Sequence, residues 1–237
     1  MADARRAALV TGASRGIGRA IAAALVRAGS RVACVGRDPA RLAEAIATFD
    51  QPSLAVPVVA ELTRSDEVRR MVQSSVRHLD HLDVVVHAAG AGGFVAATRV
   101  TAEEWEACRA INLDALIYLT RETVPWLLDR GAGHLILVSS IAAVHAFEGA
   151  GPYCAAKAGA KAFADCLRQE IRRSGVRVTT VLAGSVNTPF WDRYDLGLDR
   201  ARMLVASDVA DAVLAALSAS EHGSIDEITI LPREGIL

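Results

Sequence analysis

Ala7-Ala8-Leu9-Val10-Thr11-Gly12-Ala13-Ser14-Arg15-Gly16-Ile17-Gly18 decides how this chain folds. The apolar run predicts a buried strand over Ala7–Thr11, and the helical spacing that follows predicts a helix over Ile17–Ala28. Between them the glycines stand as G-x-x-x-G-x-G. Glycines at a strand-to-helix turn permit positive φ and let backbone N–H groups close on a phosphate at the positive end of the helix. The spacing differs from G-x-G-x-x-G, but the location is the one that motif needs. A tight turn without a ligand is the alternative.

Outward from that turn, strand-like runs alternate with helical patterns along the chain. Strands are expected at Ala7–Thr11, Arg31–Val35, Ala55–Val59, Asp83–His87, His134–Ser139, Arg177–Leu182 and Glu227–Leu231. Helices are expected at Ile17–Ala28, Ala40–Thr48, Asp66–Arg77, Glu103–Asp129, Cys154–Arg173 and Ser207–Ser218. This alternation implies an α/β fold, a parallel sheet with helices on both faces, because crossovers between parallel strands are right-handed. No linker interrupts residues 1–237, so one domain is expected. Gly184 to Ala206 lacks periodicity and carries Phe190, Trp191 and Tyr194, which suggests a substrate loop.

The end of the second strand normally supplies an acid that binds the adenosine ribose of a dinucleotide. Here it reads Val35-Gly36-Arg37, with Gly36 at the acid's position. Arg37, helped by Arg15, could fork onto a 2′-phosphate, which points to NADP (NADPH) rather than NAD. A register shift would instead make Asp38 the ribose carboxylate, and a plain surface arginine is a further alternative. Glu61-Leu62 after the third strand could face an adenine edge. His87-Ala88-Ala89-Gly90 gives a small-residue bend past which a flat cofactor could lie. The histidines form no ligand cluster, so no metal is expected.

A second constellation carries the chemistry. Tyr153 and Lys157 are four apart and share one face of a helix, while Ser139-Ser140 end the fifth strand. A nearby ammonium should lower the phenol's pKa and make it a usable acid and base. A serine hydroxyl could hold a carbonyl oxygen and hydrogen-bond the charge developing there. Asn112, inside an apolar helix, could serve a proton relay through water or be a satisfied buried amide.

A formal net charge of -1 gives no reason to expect a nucleic acid or an anionic membrane as partner. No apolar run reaches the roughly 18 residues of a membrane span. Met1 to Arg6 runs straight into a strand without a leader pattern, and Cys34, Cys108, Cys154 and Cys166 form no CxxC pair. A cytoplasmic protein is expected.

Thr11-Gly12-x-x-x-Gly16-x-Gly18, Ala89-Gly90, Asn112, Ser140 and Tyr153-x-x-x-Lys157, in that order, resemble the short-chain dehydrogenase/reductase family over nearly the whole chain. The resemblance implies a single Rossmann-type doubly wound domain with a seven-stranded parallel sheet. It implies Tyr153 as general acid/base, Lys157 lowering its pKa and binding the nicotinamide ribose, Ser140 orienting the carbonyl, and Asn112 holding a water. For the cofactor it implies contacts from Gly12, Ser14, Arg15, Gly16, Ile17 and Gly18, then Arg37, Glu61 and Leu62. Further contacts would come from Ala89, Gly90, Tyr153, Lys157, Val186 and Thr188. A homodimer or homotetramer follows from the same resemblance.

Three stretches depart from the pattern. His87-Ala88 stands where the family has Asn-Asn, Ala183-Gly184 where it has Pro-Gly, and the C-terminus lacks the Gly-Gly ending of some branches. The Ile-Leu-Pro ending is more similar to broad-specificity NADP-dependent branches. The expected activity is NADPH-dependent reduction of a ketone or aldehyde, or its reverse, on a small-molecule substrate. The alternatives are reduction of a 3-oxoacyl thioester on an acyl carrier protein and a non-catalytic NADP-binding regulatory role.

Overall fold

The computed structural model describes residues 6–194 and 197–236. Most of the Met1–Arg6 segment therefore lies outside the described residues, as do two positions of the expected substrate loop. In chain order the elements are β1 (Ala7–Thr11), α1 (Gly16–Arg27), β2 (Arg31–Gly36), α2 (Pro39–Ala47), β3 (Ala55–Val59), α3 (Ser65–Leu79) and β4 (Val84–His87). There follow α4 (Ala102–Arg109), α5 (Ala115–Arg130), β5 (Gly133–Ser140), α6 (Gly151–Ile171), β6 (Val176–Ala183), α7 (Ala206–Leu217) and β7 (Glu227–Ile230).

The seven strands form one sheet in the order β3-β2-β1-β4-β5-β6-β7, and every neighbouring pair is parallel. Side chains alternate between its faces. Ala7 and Leu9 pack with α3, α5 and α6, whereas Ala8 and Val10 pack with α1, α2 and α7. Both faces are covered, which is why strands such as Leu135-Ile136-Leu137 are continuous apolar runs instead of alternating ones. The chain leaves β1 toward β2 and returns on its other side as β4. That reversal opens a crevice above the carboxyl ends of β1 and β4, where open α/β sheets bind ligands.

Two helices differ from expectation in ways that shape this crevice. The span Glu103–Asp129 is not one helix, because α4 and α5 are separated by a π-helical turn, Ala110–Asp114. Asn112 explains the interruption. Its Nδ2 donates to the Cys108 carbonyl at 2.9 Å and to the Ala91 carbonyl at 2.6 Å. The side-chain amide competes for a ladder acceptor and ties the turn to the segment after β4. The sixth helix begins at Gly151 rather than Cys154, with Pro152 in its first turn, where a missing N–H costs nothing. Tyr153 is thus fixed on the helix. The remaining elements begin and end within two residues of the expected spans.

Candidate functional site

A cleft of about 1010 Å³ opens over the carboxyl ends of the strands. Gly12, Ser14, Arg15, Gly16, Ile17 and Gly18 line one end, with Arg37, Glu61 and Leu62 beside them. Ala89, Gly90, Ser140, Tyr153, Lys157, Val186 and Thr188 line the rest. Asn112 is the exception among the expected positions. It lies behind Gly90, where a Cβ would come within 2.9 Å of Asn112 Oδ1 and 3.2 Å of Lys157 Nζ. Only a residue without a side chain lets the amide, the ammonium and the wall of the cleft meet this closely.

The glycine turn is closed by contact as well as by conformation. A Cβ on Gly18 would lie 2.3 Å from the Gly12 carbonyl oxygen, so α1 can start directly under the turn only with glycine there. No side chain caps α1 and no acid occupies its first turn. Its first N–H groups are therefore left for an acceptor in the cleft, and the helix end favours an anion. Beside the turn, Thr11 Oγ1 accepts from the Ala88 and Ala89 N–H groups, each at 3.2 Å, and lies 3.1 Å from His87 Nδ1. With both lone pairs used, the threonine hydrogen goes to Nδ1, which places the imidazole proton on Nε2. Burial, and next the charge of Lys157, push the His87 pKa down to about 3, so the ring is neutral at any working pH. The imidazole thus braces the bend that the family's asparagine would brace.

Arg37 reaches over the cleft edge and pairs with Glu61 at 3.5 Å. Glu61 Oε1 also accepts from the Thr63 N–H and hydroxyl at 3.2 and 3.0 Å, which folds the carboxylate back onto its own turn. Asp38 has a different job. Its Oδ1 accepts from the N–H groups of Ala40 at 3.0 Å and Arg41 at 3.2 Å, capping α2. It also pairs with Arg41, so the start of α2 engages both carboxylate oxygens.

Ser140 Oγ accepts from the Ala142 N–H at 3.1 Å, leaving the hydroxyl hydrogen to donate into the cleft. Lys157 Nζ lies over the Tyr153 ring, 5.7 Å from its centroid. The expectation that Lys157 lowers the phenol's pKa is not met. Burial pushes Tyr153 up to about 12, against a smaller opposing pull from the Ser140 hydroxyl. Burial likewise pushes Lys157 down to about 8. The lysine faces the ring and is itself only weakly held as a cation, so desolvation wins at both groups.

A sequence profile described as short chain dehydrogenase matches residues 6–198. The chain belongs to the short-chain dehydrogenase family. An uncharacterized oxidoreductase of Staphylococcus epidermidis is 33% identical over 227 residues, covering 96% of this chain and 97% of the relative. Among solved structures, a metagenomic short-chain oxidoreductase in complex with NADP is 29% identical with a TM-score of 0.82, over 96% of each chain. A variant of actinorhodin polyketide ketoreductase with NADPH is 26% identical with a TM-score of 0.89, over 98% of each chain.

In this short-chain dehydrogenase the segment after β6 closes on itself. Val186 bridges Leu204, and the Asn187 and Leu204 N–H groups bond the carbonyls of Leu204 and Ser185 at 2.8 and 3.0 Å. Arg200 fastens the base through Asn187 Oδ1, Asp192 and the Thr188 carbonyl. Trp191 and Tyr194 project from it against Phe94, and Phe190 packs beside both of them and against Tyr153. Sequence reasoning missed Phe94, because the aperiodic stretch after Gly93 carried no mark that it would lie opposite the loop. Among the described residues no three His, Cys, Asp or Glu side chains are placed to hold a metal, and no helix is long and apolar enough to cross a membrane.

Proposed function

We propose that this short-chain dehydrogenase is an NADPH-dependent carbonyl reductase. The observation that carries the reading is the convergence of Ser140, Tyr153 and Lys157 on one cleft with the uncapped start of α1 at its other end. The glycine turn and α1 would hold the pyrophosphate, and Arg37 and Arg15 the 2′-phosphate. Leu62, Ala89 and Gly90 would flank the adenosine side and the ribose, and Val186 and Thr188 the nicotinamide amide. When bound, NADPH supplies the hydride.

The chain's own residues do the rest. Ser140 donates to the carbonyl oxygen, Tyr153 passes its proton to the forming alkoxide, and Lys157 with Asn112 leads from the phenol toward a buried relay. Self-association as a homodimer or homotetramer belongs to the same reading, and the exposed Ile117, Trp126 and Leu128 on α5 suit it.

Titration with NADPH and NADH, followed by nicotinamide fluorescence, tests the cofactor assignment. NADPH is expected to bind at least about tenfold tighter, a difference of ~1.4 kcal/mol, and Arg37→Ala is expected to remove the preference. Equal or tighter NADH binding would sink the NADP assignment, and binding of neither would sink the reductase reading.

The depressed Lys157 pKa sets the pH dependence. Its ammonium is present below about pH 8 and is lost above it, so kcat/KM for reduction is expected to be flat toward neutrality and to fall through about pH 8. The stability sign runs the other way. The folded lysine holds its proton less tightly than the ordinary 10.5, so its burial penalty is full below about pH 8 and is relieved as pH rises toward 10.5. A kcat/KM that climbs through this window would exclude the charged lysine as the active form.

A further inference from the structure

Resting on the carbonyl reductase reading, the geometry points to the substrate itself: a ring-bearing carbonyl compound without negative charge, a cationic ring being taken ahead of its carboxylate counterpart.

The first support is the wall opposite Ser140 and Tyr153. Phe190 lies 6.0 Å from the Tyr153 ring and 5.0 Å from Trp191, while Phe94 lies 5.1 Å from Tyr194 and 6.2 Å from Trp191. The polar handles of this cluster are already used by backbone. Trp191 Nε1 donates to the Val186 carbonyl at 2.9 Å, and the Tyr194 hydroxyl donates to the Gly92 carbonyl. The second bond latches the loop after β6 to the loop after β4. Phe190 seals the same seam, since a Cβ on Gly92 would come 2.3 Å from its ring. The wall offers π-faces and no free donor, so it selects flat apolar bodies and leaves Ser140 and Tyr153 to orient the carbonyl.

Charge supplies the second support. Glu103 and Glu106 on α4 and Glu148 before α6, all exposed, also line the cleft, and none of them forms an ion pair among the described residues. The facing cations are Arg193 at the rim and Lys157 on the floor, while Arg15 and Arg37 stand at the far, adenosine end. Carboxylates at the entrance combined with aromatic faces inside attract a cation and repel an anion. The same field opposes the phosphates of a carrier-bound acyl thioester, which separates this reading from the thioester alternative.

The test uses the whole protein with acetophenone, its para-trimethylammonio and para-carboxylate derivatives, and cyclohexyl methyl ketone. Binding is read from Trp191 fluorescence in the presence of NADP⁺, where no reduction occurs, with Trp191→Phe assigning the signal. Turnover is read separately from NADPH oxidation. The cationic ring ketone is expected to bind at least about tenfold tighter than the carboxylate. That ratio should fall below about threefold in the Glu103→Gln/Glu106→Gln/Glu148→Gln variant, and acetophenone should bind more tightly than the cyclohexyl ketone. A carboxylate bound as tightly as the cation, a ratio unmoved by the triple change, or absence of any ring binding overturns the proposal. Ring ketones that bind with this order but are never reduced uphold the selectivity of the cleft, while removing the reductase reading and with it their role as substrates. Reduction of cyclohexyl methyl ketone without binding of the aromatic ketones does the opposite.

Discussion

Tyr153→Phe is expected to lower kcat for carbonyl reduction by about 10²- to 10⁴-fold, the range in which positioned proton transfer contributes. The substitution removes one oxygen and keeps the ring, so its packing against Phe190 and under Lys157 survives. Stability should stay within about 0.5 kcal/mol of wild type, as for changes that open no cavity and strand no buried partner. NADPH affinity, which rests on the glycine turn and Arg37, should be nearly unchanged. Lost turnover with retained cofactor binding and melting temperature is the signature of a missing proton donor. The variant discriminates sharply because Ser140 alone can polarise the carbonyl but cannot hand over a proton without losing its place. Retention of more than about a tenth of wild-type kcat would hand the donor role to water or Ser140.

The sheet could be read from the sequence because its strands are continuous apolar runs between helical patterns, a signal that needs no knowledge of tertiary contacts. The residues lining the cleft could be read for a related reason. Gly12, Gly16 and Gly18 sit where a strand must turn into a helix, and Tyr153 and Lys157 sit one helical turn apart. Three features could not be read this way, and each depends on contacts distant in sequence. The π-helical turn at Asn112 exists because its amide reaches Ala91 in the segment after β4, while the local pattern of Glu103–Asp129 is helical throughout. The protonation of Tyr153 is set by burial, which the spacing to Lys157 does not report. Phe94 joins the aromatic wall through partners about a hundred positions away. Asp38 marks a different limit. An acid near the end of β2 fits both a ribose ligand and a helix cap, and only its bonds to Ala40 and Arg41 favour the second.

Arg168→Leu is expected to destabilise the fold by about 3–5 kcal/mol, the cost of removing one partner from a buried charge network. Arg168 is buried near the end of α6 and ties that helix to β6 and to the residue that precedes β7. Nε donates to the Val178 carbonyl at 2.8 Å, Nη1 to Asp165 at 2.7 Å, and Nη2 to the Asp226 carbonyl at 2.9 Å and Thr180 Oγ1 at 3.3 Å. Leucine fills the volume but leaves those acceptors without donors. Lysine, a point charge on a flexible stem, cannot reproduce the planar fork, so Arg168→Lys should recover only part of the loss. For a chain of this size each kcal/mol moves the melting temperature by about 2–4 °C, which makes the expected fall measurable by thermal and denaturant unfolding. Arg168 lies fifteen residues beyond Tyr153 on the same helix, roughly 22 Å at 1.5 Å per residue, and touches neither substrate nor cofactor. The folded fraction at low temperature should therefore keep its kcat and its pH profile. A variant that stays stable but loses turnover would mean instead that the register of α6 against β6, and with it the placement of Tyr153 and Lys157, is set by this one guanidinium.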